Sequence, residues 1–474
     1  MRNDLIPYGK YKKIDLLWLN SIPCLWKVVK NNSLWAERKI VNCLNEDLLS
    51  VTIKKGIIRQ TDLLRNTSKR DSSNLDKSKY KLLMPEDIAY NKMRMWQGAV
   101  GKSKYRGIVS PAYVVLRPIA EMNTDYYHYL FRTPHYIEES HRYSYGICDD
   151  QLNLRYEDFK SMQIVFPPID EQDQIVRYLD SSIAKINKFI KIKKKLIEVL
   201  KEQKQAIINE AVTRGIDPNA KMKPSGIDWM GDIPEEWEVM RLRYIGNCQN
   251  GISESSEYFG SGFPFVSYGD VYNNSYLPNL VSGLANSTEK QQETYSVTEG
   301  DIFFTRTSET IAEVGLTSVC TRSIDKAIFS GFLIRFRPMK GIINKYYSKF
   351  YFRNSKVRTY FTREMNLVTR ASLSQGLLKN LPVLLPSSIY EQEQIADFIE
   401  KSTKLIENSI LSTQKEINLI TEYRTRLISD VVTGRVNVRG IVVDDVIEDL
   451  VGTFDEELLD DESLSDEDGD ENAN

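Results

Sequence analysis

Residues 171 to 214 occur twice in the chain, and no other feature restricts its fold as much. The first copy opens EQDQIVRYLDSSIAKINKFI and closes IINEAVTRG; the second opens EQEQIADFIEKSTKLIENSI and closes LISDVVTGR. Glu171, Gln172 and Gln174 match Glu391, Gln392 and Gln394, and Val212 and Thr213 match Val432 and Thr433, all at an offset of 220. No residue has been gained or lost between the two ends, as a measured spacer requires. Apolar residues recur in the first copy at Ile175, Leu179, Ile183, Ile186, Ile190, Ile197, Leu200, Ile207 and Ala211. The second copy has Ile395, Ile399, Ile406, Ile410, Ile417, Ile420, Leu427 and Val431. Steps of three and four make a narrow apolar seam, the pattern of a coiled coil.

Each helix is expected to run ~60 Å at 1.5 Å per residue. Ser388 and Glu391 read as a capping box at the second start, and Gly215 with Pro218, and Gly434, read as stops. A lone seam needs a partner in water, so the two copies are expected to pair antiparallel around a pseudo-twofold axis. Pairing first with last sets Lys193 opposite Thr413, a polar midpoint that would fix register.

The duplication extends further. Trp18 to Val28 (WLNSIPCLWKV) matches Trp229 to Val239 (WMGDIPEEWEV), Asp87 to Lys92 matches Asp301 to Arg306, and Ile108 to Pro118 matches Ile328 to Pro338. Leu154 to Pro167 matches Leu373 to Pro386. The offset grows from 211 to 220, so the second copy carries about nine extra residues before position 328. The expected organisation is a globular domain over 1–168, a long helix over 169–214, and a Gly-, Pro- and Lys-rich linker over 215–228. A second globular domain over 229–388 and a second long helix over 389–434 follow, with an acidic, disordered tail over 441–474. The globular parts read as mixed α/β. Val114 to Leu116 and Ile302 to Phe304 read as strands, and Asp125 to Phe131 and Asn344 to Phe352 as short aromatic helices. The fold class is therefore α+β.

Charge distribution qualifies the net value of −2. Of the 65 acidic residues, 15 lie in 441–474, which has no Lys or Arg, so residues 1–440 carry 63 basic against 50 acidic, a net +13. A basic body with an acidic tail suits a nucleic-acid binder, the tail shielding the basic surface until DNA arrives. With no apolar run long enough for a membrane span and no signal core at MRNDLIPYGKYKK, the chain is expected to be cytoplasmic.

Catalytic signatures are sparse. Gly98 to Ser103 resembles the end of a phosphate-binding loop, but Trp96 stands where the motif needs glycine. The cysteines at 24, 43, 148, 248 and 320 are scattered, and His128, His135 and His141 sit in one aromatic stretch broken by Pro134 without a ligand-spaced partner, so no metal site is expected. Adenine methyltransferase and S-adenosylmethionine-binding motifs are missing.

The two entry motifs, the two P-x-E-Q-x-Q-I helix starts and the half-and-half repeat resemble the specificity subunit of a Type I restriction-modification system, over residues 1 to about 440. Cys24 and Leu25 depart from the motif where the second copy has Glu235 and Glu236. The resemblance implies two target recognition domains, each reading half of an asymmetric, split double-stranded DNA site, and paired helices that set the gap. It implies two modification subunits bringing S-adenosylmethionine to methylate adenine, and restriction subunits using ATP and Mg. No cofactor is expected on this chain and no catalysis by it. The competing readings are a self-contained methyltransferase or nuclease with built-in recognition, and a coiled-coil scaffold without a DNA role.

Base reading needs Arg, Lys, Asn or Gln in loops, and phosphate contact needs basic or small polar groups. In the first domain these are Lys92, Arg94, Gln97, Lys102, Lys104, Arg106, Arg142 and Tyr143; in the second, Arg306, Ser308, Arg363, Asn366, Arg370 and Gln375. Lys92 and Arg306 are repeat-equivalent, each closing the same strand. Arg117 and Arg337, before proline, read as scaffold.

Overall fold

The computed structural model describes residues 6–65, 76–147, 152–308, 313–364 and 371–443. Asn366, Arg370 and the acidic residues from 444 onward lie outside these. The fold mixes strands and helices and divides into two compact units. One unit joins the chain before residue 196 to the chain after residue 414; the other is residues 196–414. The boundary crosses both long helices. Each unit is therefore built from a globular part, a portion of its own helix and a portion of the other, not from one globular domain and the helix that follows it.

In the first unit, Lys27–Lys30 pairs antiparallel with Gln163–Phe166. Beside this ladder lies a four-stranded antiparallel sheet in the order Trp35–Glu37, Tyr113–Pro118, Ile88–Asn91, Val100–Lys102. In the second unit, Glu238–Arg241 pairs with Pro382–Leu385, beside a sheet in the order Gly246–Asn250, Leu333–Pro338, Ile302–Thr305, Thr317–Val319. Strand order matches element for element. The second unit also holds a three-stranded sheet in which Phe259–Val266 lies between Gly283–Ala285 and Ile328–Phe329.

Short aromatic helices back both sheets. Asn123 caps Thr124–Phe131, accepting from the Asp125 amide, and Asn344 caps Lys345–Phe352, accepting from the amides of Tyr346 and Tyr347. Pro134 opens a new helix, Pro134–Arg142, behind a Thr133 cap, where its missing N–H costs nothing. Trp26, Trp35, Tyr126, Tyr127, Phe131 and Tyr136 are fully buried, with the Trp35 ring edge-on to Tyr127 at 5.6 Å.

The first long helix runs Ile169–Arg214 and the second Ile389–Val432, about 69 and 66 Å at 1.5 Å per residue. Gly215 (φ +76°) and Gly434 (φ +74°) end them in the left-handed conformation that glycine adopts without strain. At the second start the Glu391 amide donates to Ser388 Oγ, but the Glu391 carboxylate turns to Ser387, not to Ser388, so the expected capping box is only half formed. The predicted linker is also more ordered than its composition suggests: Met222–Pro224 pairs as a strand with Asp232–Pro234.

Most seam residues are buried; Ile183, Leu200, Ile207, Ile410 and Ile420 are half-buried. The steps of three and four are completed by polar residues that the apolar pattern skips: Lys193 and Lys204 on the first helix, Thr403, Thr413 and Arg424 on the second. Within the first unit, Asn187 Oδ1 accepts from Arg424 and Lys193 Nζ meets Glu416 at 2.7 Å, so numbers rise along one helix as they fall along the other. Lys193 thus meets a residue three positions beyond the Thr413 that middle-to-middle pairing assigned to it. Within the second unit, Lys204 Nζ meets Glu407 at 2.6 Å. At the repeat offset, Lys204 corresponds to Arg424 and Glu407 to Asn187, so these two contacts are one contact made twice.

Each globular part grips two helix ends. Gln172, buried, accepts from the Asn123 amide at 3.0 Å and donates to Pro167 O; Gln392 accepts from the Asn344 amide at 2.7 Å and donates to Ile342 O. Tyr126 donates to Val432 O at 2.7 Å, and its equivalent Tyr347 lies 3.5 Å from Val212 O. The entry tryptophans differ. Trp237 Nε1 donates to Glu391 at 2.8 Å, whereas the equivalent Glu171 accepts from Tyr8 and the buried Trp26 N–H has no partner among the described residues. Trp237→Phe should therefore cost more than Trp26→Phe, by roughly 1–3 kcal/mol for the lost bond to a carboxylate. Urea unfolding of the two variants measures the difference.

Candidate nucleic-acid interface

Lys92 and Arg306 follow equivalent central strands, and the backbone treats them alike. The Lys92 amide donates to Ala112 O and its carbonyl accepts from Leu154; the Arg306 amide donates to Phe332 O and its carbonyl accepts from Leu373. Each residue thus stands where the sheet gives way to loops.

In the first unit the turn after Lys92 is fixed on the helix Pro134–Arg142. Gly98 (φ +90°) allows this approach, because a Cβ there would sit 2.9 Å from Ile137 Cδ1. The Trp96 ring lies 5.7 Å from that of His141, and its Nε1 donates to Met93 O. Lys92, Arg94, Gln97, Arg142 and Tyr143 share this end of the unit. Arg142 pairs with Glu139 at 2.9 Å, and Tyr143 caps the helix. Exposed Met93 and Tyr145 join them, both missed from the sequence. Lys92 is half-buried; burial, then repulsion from Lys81 and more weakly from Arg155, lowers its pKa against the opposing pull of the Glu37 carboxylate.

Lys102, Lys104 and Arg106 lie elsewhere. Lys102 pairs across the hairpin with Ile88, at the opposite end of the strand from Lys92, roughly 13 Å away by strand rise. Its ammonium holds Asp125 at 2.6 Å and Glu86 at 3.0 Å, which offset its burial and raise its pKa. Arg106 meets Glu46 at 2.8 Å, and Lys104 is exposed. The stretch that reads as one basic cluster in sequence is thus two clusters, divided by a β-hairpin.

In the second unit Arg306 reaches Gly331 O at 3.2 Å, beside exposed Phe332. The pair Thr307–Ser308 joins Ala371–Ser372 as a short ladder, and Ser308 Oγ donates to Glu313 at 2.6 Å. Gln375, in the first turn of a helix capped by Ser374, meets Asn250 at 2.9 Å. Arg306, Ser308 and Gln375 therefore gather around one end of the sheet, while Arg363 is exposed on the helix Ser355–Glu364. Phe332 gave no sequence signal beyond an aromatic following glycine at a turn. Arg337 makes a double contact with Asp301, at 2.6 and 2.7 Å, and is scaffold as expected; Arg117 is exposed on its strand.

Among the described residues, no group of three or more His, Cys, Asp or Glu is placed to hold a metal ion, and no helix is long and apolar enough to cross a membrane.

A family model for the Type I restriction modification DNA specificity domain matches residues 26–202 and 234–419, once in each half of the repeat. The chain belongs to that family. It is 25% identical to the Type I restriction enzyme MjaVIII specificity subunit of Methanocaldococcus jannaschii, over 60% of this chain and 64% of that one. It is 30% identical to the putative MjaX specificity subunit of the same organism, over 35% and 39%. The match thus spans less than two thirds of either relative. With the EcoKI specificity subunit of Escherichia coli K12 it shares 23% identity over 82% of this chain and 83% of that one. The fold resembles a chain solved in work on complex assembly and conformational transition of the type I R-M system, with a TM-score of 0.63 and 14% identity, covering 87% of this chain and 99% of that one.

One titratable group ties this region to pH. His128 is half-buried on the helix Thr124–Phe131, and its Nδ1 accepts from the Lys102 amide at 3.1 Å. Burial, then the charges of Arg132, Lys104 and Lys102, push its pKa down to about 3. The folded chain thus keeps His128 neutral where an unfolded one, with a pKa near ~6.5, takes up a proton. Its contribution is complete above pH ~6.5 and falls by about 1.4 kcal/mol per pH unit as pH drops toward 3. His128→Gln keeps an acceptor without the titration. Its melting temperature should fall less than that of the wild type between pH 7.5 and 5, as calorimetry can establish.

Proposed function

We propose that this chain is the DNA sequence-recognition subunit of a Type I restriction-modification complex. Each globular part reads half of an asymmetric, split site. The observation that carries this reading is that Lys92 and Arg306 occupy the same place in the two repeats while the side chains around them differ: Arg94, Gln97 and Tyr143 on one side, Ser308, Phe332 and Gln375 on the other. Equivalent position with different chemistry suits two readers of different sequences.

In this reading the two long helices pair as an antiparallel coiled coil about a pseudo-twofold and set the gap between the half-sites. The repeat-equivalent contacts of Lys204 with Glu407 and Arg424 with Asn187 support it. Modification subunits dock on the helices. They bring S-adenosylmethionine and methylate adenine; restriction subunits bring ATP and Mg, and this chain catalyses no step.

Mapping methylated adenines in cells that express the chain with a modification partner tests the proposal. The expected result is one asymmetric two-part motif. Arg306→Ala should weaken binding by roughly 1–3 kcal/mol and relax one half of the motif only, while inserting a helical turn in one long helix should alter the gap and leave the bases unchanged. A palindromic motif, or none, would sink the reading.

A further inference from the structure

We propose that residues 444–459 of this chain dock along the outward face of the first long helix. The helix presents further apolar side chains there: Ile192 on the side away from the seam, and Phe189 at the seam's edge, its ring 5.3 Å from the Lys193 ammonium. Phe189 and Ile192 are 42% and 59% exposed, flanked by exposed Lys185, Lys188 and Lys195. Large exposed apolar side chains set among lysines make a surface for an acidic, amphipathic partner.

The chain supplies such a segment and delivers it to the right face. After the second helix, residues 435–443 return to the start of the first one, where Gln174 Nε2 donates to Ile441 O at 2.8 Å. Ile192 lies 18 residues beyond Gln174, which is five turns of 3.6, so both sit on the same side of the helix about 27 Å apart. The chain after Val443 therefore starts on the line of Ile192. Its first residues carry Ile447, Val451, Phe454 and Leu458 in steps of four, three and four, with Asp and Glu between them. This is one apolar side with acidic flanks, complementary to the lysines in charge and to Phe189 and Ile192 in character. From Ile441 to Phe454 the chain spans ~20 Å at helical rise and about twice that when extended, enough to reach Ile192.

The repeat argues for this occupant over one that binds in two copies. A partner bound about a pseudo-twofold would need the same face on both helices. At the repeat offset, Lys188, Phe189 and Ile192 correspond to Asn408, Ser409 and Ser412. That face exists once, as the acidic segment does.

Photo-crosslinking tests the contact in the full chain with neither DNA nor partner subunits present, so its result does not depend on the DNA-reading role. With p-benzoylphenylalanine in place of Ile192, irradiation should give cross-links within one chain that mass spectrometry places in residues 444–459. Phe454→Asp with Leu458→Asp should cut their yield at least about tenfold, because both side chains lose their burial; Lys188→Glu with Lys195→Glu should lower it too. Absent cross-links, links between two chains, or a yield indifferent to the tail substitutions would overturn the proposal.

Discussion

The architecture rests on a grip made twice by each globular part. Gln172 and Gln392 are buried glutamines whose carbonyls accept the amide of the residue that caps the aromatic helix, while their NH2 groups donate to loop carbonyls. That holds the start of one long helix. Tyr126 and Tyr347, on the same aromatic helices, face the last carbonyls of the other long helix. A helix end carries unsatisfied backbone groups, and here the neighbouring domain meets some of them. Both compact units therefore depend on segments far apart in sequence, and the boundary between units passes through the long helices.

Much of this was legible because duplication compares a sequence with itself. The offset of 220 identified the long helices, and the match of Trp26 with Trp237 identified the entries. The central strands and aromatic helices followed from short β-branched and aromatic runs bounded by glycine and proline. The register was less legible, because seam positions held by Lys193, Lys204, Thr403 and Arg424 do not show in a count of apolar residues. Lys193 found a carboxylate, Glu416, in preference to a hydroxyl. The division of the chain was legible only through the expected antiparallel pairing, which sets the end of the second helix beside the start of the first; nothing local indicates that residues 415–443 fold with the N-terminal part.

The candidate interface residues of the first unit are neighbours in sequence but not in the fold. NKMRMWQGAVGKSKYRG looks like one basic loop because linear order hides a β-hairpin. Pairing of Val100–Lys102 with Ile88–Tyr90 carries Lys102 away from Lys92 and places it against Asp125 and Glu86. Phe332 and Tyr145 escaped notice because apolar and aromatic residues are read first as core, and only the fold shows these two to be exposed.

The closing segment of the first unit has a topological consequence. In the second unit the chain between Arg214 and Trp229 connects helix to domain without a break. In the first unit the same place is filled by two separate strands of chain: Ile6 bridges to Asn437, Tyr11 donates to Gly434 O at 3.1 Å, and Arg439 lies over the Tyr8 ring. A Cβ on Gly434 would press on Pro23 at 2.6 Å, so the junction is tightly closed. Residues 6–11 and 434–439 thus lie side by side within the first unit. Linking the segment near residue 440 to residue 6 and cutting within 215–228 would preserve the contacts of the first unit and change only the order in which the two globular parts emerge during synthesis.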